Sequence, residues 1–326
     1  MNSIVPVQEK LPVVVGVDGT SAALHAVDLA AAEAAHRCAP LVVAHAWPGR
    51  HLEAPKSRMT VPGRAEGAHL LDLATRRARQ SEPHLTVVPA LMDEGAAEGL
   101  LRWSARACLL VVGHRDDTSA HHGWGSTASY LAHHSTCPLL VSRGSVPSRG
   151  PVIVAVSGGR VTTLVQAYEA AAYVGGTLTA VHVWRPEHSA ADDDAGRAAA
   201  EGLLDAALNA CGSLQSSVPV TRLLISEAEI AYTVERAAWR GRLLVVGMGH
   251  KGWAVEALYR SGGVASTGRR LCPVLLVPSV PRSLKPHVGG EGEIPSGGHL
   301  KGKYVAAGGR SALPDASSIL IGPGGS

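Results

Sequence analysis

Three short stretches carry residue types able to hold a polar ligand. Asp18-Gly19-Thr20-Ser21 follows the apolar run Val13–Val17. Leu109-Leu110-Val111-Val112 ends in Gly113 and leads into a polar loop. Gly125-Ser126-Thr127 stands ahead of a helical run, Ala128 to His134. At such a helix start, free N–H groups, two hydroxyls and the positive end of the helix dipole converge, which favours an anion. Glycine there lets the backbone approach a ligand with no Cβ in the way.

Other chemistry is less well supported. Histidine is plentiful at 16 residues, and His121-His122 and His133-His134 flank the helix start. A zinc site needs three or four converging ligands. With no paired Cys and no His-x-x-x-His set backed by carboxylates, these read as loop or surface histidines, and no metal is expected. No Gly-x-Ser-x-Gly elbow follows a strand, and no Gly-Lys-Ser or Gly-Lys-Thr loop occurs. Without a base and nucleophile pair, the chain does not read as an enzyme. Asp192-Asp193-Asp194 reads as a solvated acid run in a polar loop, with a helix N-terminus after it as one option.

Composition narrows the partners. Charged residues make up 17% of the 326 and the net charge is +3, with no basic block to form a nucleic-acid surface. Hydrophobic residues at 46% suffice for packed cores. Cys38, Cys108, Cys137, Cys211 and Cys272 form no C-x-x-C and mostly lie in apolar or helical stretches, as expected of buried reduced thiols in the cytoplasm. Met1 to Lys10 has no apolar core of a signal peptide, and no apolar run nears the ~18–20 residues of a membrane span.

The elements that must position these residues alternate. Strands are expected at 13–17, 41–47, 85–89, 109–112 and 137–141. Helices are expected at about 22–37, 65–79, 96–107 and 128–134. The cycle then restarts. Val152-Ile153-Val154-Ala155-Val156 answers the first strand, and His182-Val183-Trp184 answers His45-Ala46-Trp47. Leu243 to Gly247 repeats Leu109 to Gly113, and Cys272-Pro273 repeats Cys137-Pro138. Matched landmarks in one order indicate a tandem duplication. His45 and His182, at matched places, read as sharing a structural job: capping a strand end or lining a crevice. Trp103 and Trp239, each in the helix before strand four, read as core packing.

Strands alternating with helices imply an α/β fold with parallel sheets and helices on both faces. Ligands in such sheets bind beyond the carboxyl ends of the strands, which gathers Asp18, the residues after strand two and the loop after Gly113 around one crevice. The expected organisation is one domain over 1–146, a second over 147–281, and a Gly-rich disordered tail over 282–326.

Val-Asp-Gly after strand one, a Val-Val-Gly strand four, a Gly-Ser helix start and a Cys-Pro-Leu-Leu-Val strand five together resemble the universal stress protein family. Two copies in one chain resemble its tandem-domain members, over about 13–143 and 152–278. The resemblance implies a strand order of 3-2-1-4-5 in each copy and a role in stress response or regulation. In the ATP-binding branch of that family the loop runs Gly, two residues, Gly, nine residues, Gly, then Ser or Thr. Carried over, ATP or another adenine nucleotide would sit with Asp18 and Ala46 near base and ribose, and with Gly113, Gly125, Ser126 and Thr127 at the phosphates.

The first copy departs from the pattern at Asp116, which stands for the second Gly, and its loop is one residue short. Asp116 and Asp117 would repel phosphates, while Arg115, His121 and His122 could offset them. In the second copy Ser157 replaces the acid, His250 the second Gly, and Arg260-Ser261 the Gly-Ser start; Gly262 and Gly263 follow. That copy reads as a degenerate structural partner. The alternative is a nucleotide-free interaction protein with both sites degenerate. The two copies would pair as an intramolecular pseudo-dimer through edge strands, and a homodimer is a further expectation.

Overall fold

The computed structural model describes residues 10–47, 64–114, 126–143, 149–158, 161–185, 190–226, 230–248 and 272–278. All belong to the compact unit Met1–Ser283, and the second unit, Leu284–Ser326, lies outside the described residues. So do the expected tail, the loop residues 115–125, and His250 with 260–263.

The first half runs β1 (Val13–Gly16), α1 (Ser21–Arg37), β2 (Leu41–Ala46), α2 (Arg64–Ser81), β3 (Val87–Met92), α3 (Ala96–Ser104), β4 (Leu109–Gly113), α4 (Ser126–His134) and β5 (Leu139–Ser142). The second runs β6 (Val152–Ala155), α5 (Val161–Tyr173), β7 (Leu178–Trp184), α6 (Ala190–Asn209), β8 (Val220–Ser226), α7 (Ile230–Ala238), β9 (Leu243–Gly247) and β10 (Val274–Val277). All these strands join one sheet, in the order β3-β2-β1-β4-β5-β10-β9-β6-β7-β8. Read outward from its own first strand, each half has the order 3-2-1-4-5.

The strands are apolar at successive positions because the sheet is covered on both sides. Val13 and Val15 face the layer of α1 and α2, while Val14 faces that of α3 and α4, and all three are fully buried. The α1 face against the sheet is nearly all alanine: Ala23, Ala26, Ala30, Ala31 and Ala34 are at most 4% exposed. Such short side chains let the helix backbone lie close to the strands.

Several boundaries differ from expectation. β3 begins at Val87 and continues past Pro89 to Met92, in register from Leu41↔Val87 to Ala46↔Met92. Proline is tolerated there because β3 is an edge strand. α3 stops at Ser104, whose hydroxyl donates to the Leu101 carbonyl at 2.7 Å. α4 starts two residues early, at Ser126, and β5 starts two residues late, beyond Pro138. Asp192-Asp193-Asp194 lies not in a loop but inside the first turns of α6, where the macrodipole favours acids. Trp103 is partly buried against the core with the Arg106 guanidinium 4.5 Å from its ring centre. Trp239 falls one residue beyond α7.

The halves meet at β5 and β10, which pair antiparallel through Val141↔Val274, Leu140↔Leu275 and Leu139↔Leu276. Arg143, only 7% exposed, donates from Nε to the Cys272 carbonyl at 2.8 Å across this seam. On the α1 side of the sheet, the His36 and Tyr173 rings lie 3.5 Å apart and link α1 to α5.

None of the five cysteines is in a disulfide, and Cys137, Cys211 and Cys272 are buried. Burial pushes the Cys108 and Cys211 thiols above their ordinary 9.0. A raised thiol value means the unfolded chain loses its protons first. The thiols' contribution is therefore fully present below 9.0 and is lost as pH climbs from there toward the folded values.

Two outcomes are expected. Arg143→Ala, which removes the guanidinium bond to the Cys272 carbonyl at the seam, should destabilise the chain by about 1.5–3 kcal/mol in denaturant unfolding. Between about pH 8 and pH 10, a Cys108→Ala/Cys211→Ala chain should lose less stability than wild type in the same assay.

Candidate functional site

At the carboxyl end of β1 the chain must turn sharply into α1. Gly19 makes that turn at φ +85°, a left-handed conformation that favours glycine. Thr20 is the N-cap of α1, its Oγ1 accepting from the Ala23 N–H at 3.2 Å. Asp18 is exposed, and its Oδ1 accepts from both the Thr20 N–H at 3.1 Å and the Thr20 hydroxyl at 2.6 Å. The carboxylate is thus aimed by the helix start that follows it.

Gly113 ends β4 directly beneath this turn. A Cβ on it would lie 2.7 Å from the carbonyl carbon and oxygen of Ala22 and 2.9 Å from the Ala23 nitrogen. Those are backbone atoms of a packed helix and cannot swing aside. Glycine at 113 therefore has a packing reason of its own: the alanine-faced α1 presses its first turn onto the end of β4.

His45, on β2, has Nδ1 2.8 Å from the Val17 carbonyl. A carbonyl only accepts, so Nδ1 carries the proton. His182 makes the matching bond to Val156 at 2.7 Å. Both histidines thus pin the chain leaving the first strand of their half, the strand-end job expected of them.

These elements bound a cleft of about 170 Å³ over the carboxyl ends of β1, β2 and β4. Of the expected site residues, Asp18, Ala46, Gly113 and Thr127 line it. Ser126 opens α4, but its side chain lies outside the described residues, as does Gly125. Sequence reasoning missed Thr20, Ala44, Met92, Ala96 and Leu100, which also line the cleft. Met92 was findable only with β3 placed in its true register, which the stop at Pro89 obscured.

The walls divide by chemistry. Val17, Ala44, Ala46, Met92 and Leu100 are apolar and suit a flat ring or sugar edge. Asp18 is acceptor-only when ionised and takes N–H or O–H donors. A phosphate 4 Å from it would be repelled by on the order of 4 kcal/mol near a protein surface. An anion is better placed at the α4 start, where Thr127 lines the cleft and the helix dipole is positive. Among the described residues, no group of three His, Cys, Asp or Glu could hold a metal ion.

In the second half, Ser157 stands in the place of Asp18 and is exposed. Gly158 keeps the left-handed turn at φ +65°. The left-handed glycine is retained and the carboxylate is gone.

The model of the universal stress protein family matches residues 11–143. A universal stress protein of Mycobacterium tuberculosis is 28% identical over 297 residues, covering 82% of this chain and 96% of its own length. The solved structure of a universal stress protein from Archaeoglobus fulgidus covers 82% of this chain and 96% of its own, with TM-score 0.57 at 14% identity. That of a putative universal stress protein from Pseudomonas aeruginosa covers 82% and 93%, with TM-score 0.51 at 17% identity. These structural likenesses bear on the fold.

Gly113→Ala should destabilise the ligand-free protein by about 1–3 kcal/mol in chemical denaturation, because the added methyl meets immovable backbone. An unchanged midpoint would show that α1 does not press on β4 as described.

Proposed function

Since residues 11–143 of this chain match the model of the universal stress protein family, we propose that the protein is a stress-response or regulatory binding module whose first-half cleft takes ATP or another adenine nucleotide. The observation that carries the reading is the convergence of Asp18, Ala46, Gly113 and Thr127 on one cleft at the strand ends. Base and ribose would lie along the apolar wall with Asp18 accepting from the ligand's donors. The phosphates would lie toward Gly125, Ser126 and Thr127. The second half, with Ser157 for the acid, acts as a structural partner. The module binds rather than catalyses, and its thiols suit a reducing, cytoplasmic setting. No helix among the described residues is long and apolar enough to cross a membrane.

One observation favours a second reading, a nucleotide-free interaction protein. The landmark glycine at 113 is explained by the Ala22 contact alone, so its presence does not require a phosphate. The cleft bounded by the described residues is also below the ~300–1,000 Å³ usual for ligand pockets. Under this reading the protein serves as an interaction or dimerisation platform, as a homodimer or with another protein.

Calorimetry with ATP on the intact chain separates the two. Binding is expected for wild type. Ala46→Trp, which fills the cleft from the end of β2, should abolish it while leaving far-UV circular dichroism unchanged. Absence of heat up to about millimolar ATP, a free energy of only ~4 kcal/mol, would leave the interaction platform as the standing function.

A further inference from the structure

The pair Asp18 and Thr20 does more than shape a turn. Thr20 Oγ1 accepts from the Ala23 N–H, so its single proton is available to Asp18, and it is delivered at 2.6 Å. A hydroxyl donating to a carboxylate at that distance is a charge-assisted bond, stronger than a neutral one. The Thr20 N–H reaches the same Oδ1 atom. Two donors on one oxygen fix the plane of the carboxylate at the mouth of the cleft that both residues line.

The second half tests whether this bond exists for the turn. By sequence, Ser157-Gly158-Gly159 stands in for Asp18-Gly19-Thr20. The turn glycine persists, at φ +65° against +85° in the first half, and a helix follows in both. Acceptor and donor have been replaced together where the cleft's carboxylate is gone. Gly158 takes its left-handed conformation with no carboxylate before it, so that conformation does not need the Asp18–Thr20 bond.

We infer that Thr20 is a positioning residue of the first-half cleft, holding Asp18 in the orientation that accepts hydrogen bonds from a ligand. The inference rests on the nucleotide reading for its ligand, not for its geometry. Thr20 acts through Asp18: the backbone N–H of Ala23 polarises its hydroxyl, and the hydroxyl aims the carboxylate.

The test is a double-mutant cycle on the full chain with Asp18→Ala, Thr20→Val and the double variant, together with Thr20→Ser and Thr20→Gly. Each is measured by calorimetry with ATP and, without ligand, by denaturant unfolding. Thr20→Val should weaken ATP binding about tenfold, Thr20→Ser should rescue it to within about threefold, and the double variant should bind no more weakly than Asp18→Ala alone. Thr20→Gly guards against a folding defect, because glycine at an N-cap loses little helix stability. It should weaken binding as Thr20→Val does. Equal ATP affinity in Thr20→Val and wild type, or additive losses in the double variant, would overturn the inference. If wild type binds no ATP, the nucleotide reading falls, and the unfolding cycle still judges the pair. Non-additive unfolding free energies keep Thr20 as the residue that holds Asp18, and additive ones remove it.

Discussion

The antiparallel pairing of β5 with β10 is the contact on which this architecture turns. Each half ends in a strand that is apolar on both faces and buried along its length. Alone, either would expose a row of backbone N–H and C=O groups beside unburied leucine and valine, an edge that proteins rarely leave open. Pairing Leu139–Val141 with Val274–Leu276 satisfies both rows at once and makes one sheet of two. The buried Arg143 extends the join beyond the strands by reaching the carbonyl of Cys272. The remaining edges, β3 and β8, carry the more exposed strands of the sheet, and β3 has Pro89 on it. Those are the edges that can face solvent.

From that seam outward, close approach governs the first-half cleft. The alanine face of α1 sets the helix low on the sheet, Gly113 accepts the contact with Ala22, and the turn at Gly19 brings Asp18 over the strand ends. His45 ties the chain after β1 to β2 at the same level. The cleft and a packing solution therefore share residues. Glycine at 113 cannot by itself be read as a phosphate marker, whereas the left-handed turn glycine, Gly19 or Gly158, is kept with or without a carboxylate before it. The two halves diverge at the carboxylate and its donor, while the histidine bonds to Val17 and Val156 are the same in both.

Much of this was legible in the residues. Apolar runs ending in Gly located β1, β4 and β9. Repeated landmarks such as His45-Ala46-Trp47 and His182-Val183-Trp184 announced the duplication. The matched histidines shared a structural task because a repeated residue at a repeated place answers a repeated need. Errors fell where a local signal was outvoted by position in the sheet. Pro89 looked like the end of a strand, yet an edge strand runs through it. Asp192-Asp193-Asp194 looked like loop, yet acids suit the first turns of a helix. Three of the missed cleft residues, Ala44, Met92 and Leu100, are ordinary apolar side chains. Nothing in their types distinguishes a cleft wall from a core.

Sequence alone therefore determined the α/β class, the order of elements, the repeat and most of the polar residues of the cleft, because periodicity, turn chemistry and residue type are local properties. Tertiary structure decided which edges join, that Gly113 answers to Ala22, and that Asp18 is aimed by Thr20. Those are distances between groups whose separation along the chain carries no record of their separation in space. They depend on how closely a small-residue helix can lie on a sheet, which only the assembled backbone expresses.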